Sequence, residues 1–82
     1  MAKLFNERLK DLRDDTEPKI SQQEISQMLE ISDATYQSYE YGKSEPRVST
    51  LIKLAEFYKT SIDYIAGLTD DPHPYPPPRR GR

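Results

Sequence analysis

A chain of 82 residues, 34% of them apolar and with a mean hydropathy of -0.91, has room for one small domain with a modest core. It contains no Cys and a single histidine, His73, which excludes a disulfide framework and any thiolate or multi-imidazole metal site, so no metal or cofactor is expected. The net charge of -2 offers no global attraction to nucleic acid or membrane, and no apolar run could span a bilayer or serve as a signal peptide; a soluble, cytoplasmic protein is expected.

Phe5, Leu9 and Leu12 recur at helical spacing with charges on the other face, which predicts a first helix from about Leu4 to Asp14. Pro18 disfavours helix at Glu17, so Thr16 to Lys19 form a break. Ser21 followed by Glu24 has the form of a capping box, and Ile25, Met28 and Leu29 supply an apolar stripe; a second helix is predicted over Gln22 to Leu29. Ser32 can cap a third helix, Asp33 to Tyr41, with Asp33 complementing the helix dipole, Gly42 as the stop, and Tyr36 and Tyr39 facing inward.

Beyond Pro46, a fourth helix is predicted over Val48 to Tyr58, where Leu51, Leu54, Ala55 and Tyr58 share one face. Ser61 caps a short fifth helix, Ile62 to Ala66, ended by Gly67. From Asp70 onward the chain holds five of its seven prolines and reads as an extended, disordered tail. Residues 1–69 carry 9 basic and 12 acidic side chains, whereas residues 70–82 carry 3 and 2, so only the tail is basic. The expected fold is therefore a compact all-α, five-helix domain over 1–69 followed by a Pro-rich tail over 70–82.

The second and third helices, joined by a short turn, have the geometry of a helix-turn-helix over 22–41. Yet from Ser21 to Gly42 there is no Lys or Arg, while Glu24, Glu30, Asp33 and Glu40 are all acidic. A surface meant for an anionic duplex would have to work mainly through neutral groups.

The order of side chains is more specific than the helix pattern. RLKDLR at 8–13, SQQEIS at 21–26, EIS at 30–32, ATYQSYEYGK at 34–43, EP at 45–46, TLIKLAEFY at 50–58 and SIDYIAG at 61–67 follow one another as in a known family. Over residues 4–68 the chain resembles the Cro and lambda-repressor (Xre-like) family of prokaryotic and phage DNA-binding regulators. The resemblance implies that the third helix enters the major groove, with Asp33, Ala34, Thr35, Gln37 and Ser38 facing base edges. Gln37 could pair bidentately with adenine, Thr35 could touch a thymine methyl, and Asp33 could accept from a cytosine amino group or simply complement the dipole. Gln22, Gln23, Ser32, Tyr41, Lys43 and Arg47 are the implied contacts to the DNA backbone.

The resemblance also implies a structural ion pair between Arg13 and Glu40. A domain this small makes few base contacts, so a twofold homodimer on a palindromic operator is expected, with Tyr64, Ile65 and Leu68 near the fifth helix as candidate interface residues. Three departures stand out. Glu30 occupies the turn position where the family usually has Gly, and a left-handed conformation there would cost about 1–2 kcal/mol, so a reshaped turn is an expectation. The loop Thr16 to Lys19 is longer than usual, which bears on whether Lys19 faces DNA. The third helix lacks the Arg or Lys that often reads guanine, which favours A·T-weighted sites.

No nucleophile, base and orienter occur together and no Gly-rich phosphate loop is present, so an enzyme is not expected. The main expectation is a repressor acting on nucleoid DNA. The alternatives are the antitoxin of a toxin–antitoxin pair, its tail folded over the toxin, or a protein-interaction module that has lost DNA affinity. In the tail, Pro74, Pro77 and Arg79 match a PxxPx+ pattern for a protein partner; a linker or a basic arm of Arg79, Arg80 and Arg82 are the simpler readings.

Overall fold

The computed structural model of the chain describes residues 4–75. Within them lie five α-helices and no strand: α1 (Phe5–Asp14), α2 (Gln22–Met28), α3 (Asp33–Glu40), α4 (Val48–Tyr58) and α5 (Ile62–Ala66). The predicted bounds differ by one residue at Leu4, Leu29 and Tyr41, which are the cap residues of their helices.

Capping chemistry sets these boundaries. Ser21 Oγ accepts from the Glu24 N–H and Glu24 Oε1 from the Ser21 N–H, each at 3.0 Å, completing the box at the start of α2. Ser32 Oγ accepts from the Thr35 N–H at 3.1 Å and Ser61 Oγ from the Tyr64 N–H at 3.0 Å, opening α3 and α5. Gly42 and Gly67 close α3 and α5 with φ of 76° and 84°. Two non-glycine residues do the same work: Lys59 ends α4 at φ 55°, and Glu30 holds φ 61° between α2 and α3. The turn is therefore not reshaped around Glu30; the glutamate adopts the left-handed backbone, with its carboxylate 3.6 Å from Lys53 Nζ.

Leu9, Ile25, Leu29, Tyr36, Tyr39, Leu54, Ala55 and Ile65 form the buried core, edged by Phe5, Leu12, Ile20, Ile31, Leu51, Tyr58 and Ile62. Tyr36 and Tyr39 face inward as their spacing predicts, with ring centroids 6.4 Å apart in an edge-on arrangement. Met28, read as part of the apolar stripe of α2, is instead 41% exposed, while Ile25 and Leu29 are buried. α3 packs on both α1 and α2, while α5 packs on α1 and α4.

The expected Pro-rich tail begins at Asp70, and the structure describes its first six residues. Residues 70–75 contain neither helix nor strand, but the Asp70 carboxylate pairs with Arg8, whose Nη1 donates to Thr69 O at 3.3 Å, and the Tyr75 hydroxyl donates to Asp63. The PxxPx+ pattern and the basic arm extend into residues 76–82, outside the described residues.

Candidate nucleic-acid interface

The position of α3 follows from one carboxylate. Glu40, in the last turn of α3, accepts from Arg13 Nε at 2.7 Å and Nη2 at 3.1 Å, from the Tyr36 hydroxyl at 2.6 Å and from Gln22 Nε2 at 3.0 Å. Its side chain is 2% exposed and that of Arg13 is 10% exposed. Burial alone would raise the Glu40 carboxyl, but the hydrogen bonds from Arg13, Tyr36 and Gln22 outweigh it and hold the group below its ordinary value. Burial, first, and the bond to Glu40 push the Tyr36 hydroxyl well above the usual phenol range. Arg13 Nη1 also donates to Ile20 O at 3.2 Å, so α1, the loop before α2, and α3 are joined through one guanidinium.

With Tyr36, Tyr39 and Glu40 turned inward, the rest of α3 faces outward. Asp33 and Ala34 are exposed; Thr35, Gln37 and Ser38 are half-buried. Asp33 and Gln37, one turn apart, line an open groove with Arg13, Lys19, Ile20, Ser21, Gln22 and Gln23. Gln22, Gln23, Asp33 and Gln37 are thus brought together. Tyr41, Lys43 and Arg47 are exposed beyond the C-terminal end of α3.

Several of these side chains have internal partners that spacing did not disclose. Gln22 spends one amide proton on Glu40, leaving its carbonyl oxygen and second N–H for other contacts. Thr35 Oγ1 lies 2.8 Å from Ser32 Oγ. The Ser38 hydroxyl lies 2.6 Å from Thr35 O and 2.5 Å from Ser44 Oγ, tying α3 to the loop that follows. Asp33 takes the hydroxyl of buried Ser26. Lys19 does line the groove, but its ammonium pairs with Asp14 at 3.0 Å, where Lys10 also binds at 2.8 Å. These hydrogen bonds, that from Lys10 first, hold the Asp14 carboxyl down to about 2.

One expected interface residue is corrected. Ile65 is fully buried in the core of the single chain and has no surface to offer a second copy. Tyr64 is half-buried beneath Arg8, whose guanidinium carbon sits 4.0 Å from the ring centroid, and Leu68 is 77% exposed. Arg8 and Ser26 are the structural residues that sequence reading missed. Ser26 could have been suspected from its position on the apolar side of α2; nothing local marks Arg8, whose acidic partner is 62 residues away.

Among the described residues no group of His, Asp and Glu side chains is arranged to hold a metal ion, and no helix is long and apolar enough to cross a membrane.

Two short helices joined by a left-handed turn, the second exposed along a polar face and fastened to its bundle by a buried ion pair, define a helix-turn-helix domain. The chain belongs to the helix-turn-helix family HTH_3, whose model matches residues 9–65. It is 35% identical to the uncharacterized HTH-type transcriptional regulator YobD of Bacillus subtilis over 71 residues, which is 87% of this chain and 62% of that protein. It is 40% identical to the SPbeta prophage-derived HTH-type regulator YonR of the same organism over 62 residues, 76% of this chain and 56% of the other. The cryptic phage CTXphi transcriptional repressor RstR of Vibrio cholerae matches over 59 residues at 34% identity, 72% of this chain and 51% of the other. The chain thus spans less than two thirds of the length of these relatives. No solved structure matches it.

Proposed function

We propose that this domain binds duplex DNA as the reading head of a phage-type transcriptional repressor, with α3 in the major groove. The observation that carries the proposal is the groove in which Asp33 and Gln37 of α3 meet Gln22 and Gln23 of α2: hydrogen-bonding side chains gathered from both helices, with α3 firmly seated by Glu40. The regulator and repressor names of the relatives support it. Gln37 reads a base edge; Ala34, Thr35 and Ser38 add contacts along the same helix, and Gln22, Gln23, Ser32, Tyr41, Lys43 and Arg47 address the DNA backbone. A surface this small makes few base contacts, so two copies on a palindromic operator are proposed, with half-sites about one helical turn apart and Leu68 at the contact.

Because few cations face the duplex, affinity should fall only modestly with salt, corresponding to about 2–4 neutralised phosphates per copy. Fluorescence anisotropy with a random duplex library across a salt series measures this slope. Absence of binding to every duplex at low salt would overturn the proposal and favour a protein-interaction module. Gln37→Ala should relax preference at one base position by about 1–3 kcal/mol, whereas uniform weakening on all sequences would assign Gln37 to positioning alone.

A further inference from the structure

Ser26 is fully buried on the inner side of α2, yet its hydroxyl is directed to a residue on the outward face of α3. Ser26 Oγ lies 2.8 Å from Gln23 O and 2.5 Å from Asp33 Oδ1. A hydroxyl has one proton, and the carboxylate is the stronger acceptor, so the proton is committed to Asp33. Asp33 is not needed as the cap of α3, because Ser32 already accepts from the Thr35 N–H. The carboxylate is held by one oxygen while the residue remains exposed at the edge of the groove it shares with Gln22, Gln23 and Gln37.

We propose that Ser26 is a positioning residue that holds the Asp33 carboxylate in one orientation, making Asp33 select a base with an exposed amino group, cytosine first, and reject guanine and thymine. The inference rests on the reading of this face as a DNA surface. An ionised carboxylate has no proton to give, so it can accept from the N4 amino group of cytosine or the N6 amino group of adenine. Guanine presents only the O6 and N7 acceptors in the major groove, and thymine the O4 acceptor; either would face a carboxylate with no donor between them. Adenine also presents the N7 acceptor beside its amino group, which ranks it behind cytosine. The Ser26 bond confines the carboxylate to one rotamer, so repulsion from a wrong base or a neighbouring phosphate cannot be relieved by swinging away. A free aspartate would merely lose a contact at a wrong base; a tethered one is penalised there, which is how a single residue excludes as well as selects.

The test is selection of bound duplexes from a random library by the intact chain, by Asp33→Asn, Asp33→Ala and Ser26→Ala, with melting curves to establish that each variant folds. The wild-type chain should enrich cytosine over guanine at one position by roughly tenfold or more. Asp33→Asn, which adds a donor, should move that position toward adenine and readmit guanine. Ser26→Ala should flatten the preference at that same position while leaving the others, and affinity for a shuffled duplex, unchanged. A merely structural Ser26 would instead weaken all sequences together. If the wild-type chain enriches a sequence and the Asp33 variants enrich the same one, the selective role of Asp33 is wrong while the DNA reading stands. If Asp33 variants shift the preference but Ser26→Ala does not, the positioning role of Ser26 is wrong. If the wild-type chain enriches no sequence, the reading of the face itself has failed.

Discussion

The Glu40 carboxylate gathers hydrogen bonds from three side chains, Arg13, Tyr36 and Gln22. Its pairing with Arg13 was expected from the resemblance, but Tyr36 and Gln22 also bind the carboxylate, and no spacing rule connects residues 22 and 40. Replacing Glu40 by Gln leaves the Arg13 guanidinium buried beside a neutral amide, which should cost on the order of 3 kcal/mol. For a domain of this size that corresponds to a fall in Tm of more than about 10 °C by circular dichroism. The pH dependence has a definite sign. Because the folded Glu40 carboxyl sits below its ordinary value of 4.5, its contribution is complete above that pH and is lost as pH falls through the folded value. Melting temperatures should therefore drop on acidification below about pH 4 in the wild type and less so in Glu40→Gln. A parallel decline in both would show that other groups dominate. Asp14, held down to about 2, has the same sign, but lies in an exposed cluster with Lys10 and Lys19 that salt screens.

At the scale of the helices, the order and type of all five elements were legible because apolar spacing marks the helices and several boundaries carry their own chemistry. Ser21, Ser32 and Ser61 accept at helix starts, and Gly42 and Gly67 supply positive φ at helix ends. The end of α4 at Tyr58 was also read correctly from its apolar face, but nothing in the chemistry of Lys59 announces the left-handed conformation it adopts there. Glu30 is the instructive intermediate, since the mismatch was visible but the outcome was not. Packing of α2 against α3 holds the turn in the left-handed form, and the glutamate carries the strain. Glu30→Gly should therefore stabilise by about 0.5–1 kcal/mol, the relief of that strain less the entropy of a freer unfolded chain and a weak exposed pair with Lys53. The converse change, Gly42→Ala, places a Cβ 3.3 Å from Asn6 Cγ at φ +76° and should destabilise by about 1–2 kcal/mol. Urea unfolding of the two variants beside the wild type measures both, and equal midpoints for all three would show that neither turn is strained.

For the molecule as a whole, the contacts most remote in sequence were the least legible. Arg8 and Asp70 look like ordinary solvated charges in isolation, yet Arg8 is buried over Tyr64 and draws Thr69 and Asp70 against α1. Asp70→Ala should cost less than about 1 kcal/mol because its carboxylate is 79% exposed, while Arg8→Ala should cost more, losing the stacking as well. Backbone relaxation measurements should show residues 69–75 gaining motion in both variants; unchanged order there would mean that the proline-rich stretch is held by its own stiffness.

The convergence on Glu40 has a practical corollary for transplantation. The two helices joined at Glu30 look like a portable cassette, but the carboxylate that seats the second draws a bidentate partner from α1 and a third bond from the start of α2. Moving residues 21–43 into another scaffold would carry the acid without its guanidinium, leaving a buried charge in the host. A working graft must bring Arg13 with it, so the smallest unit that can be exchanged is three helices.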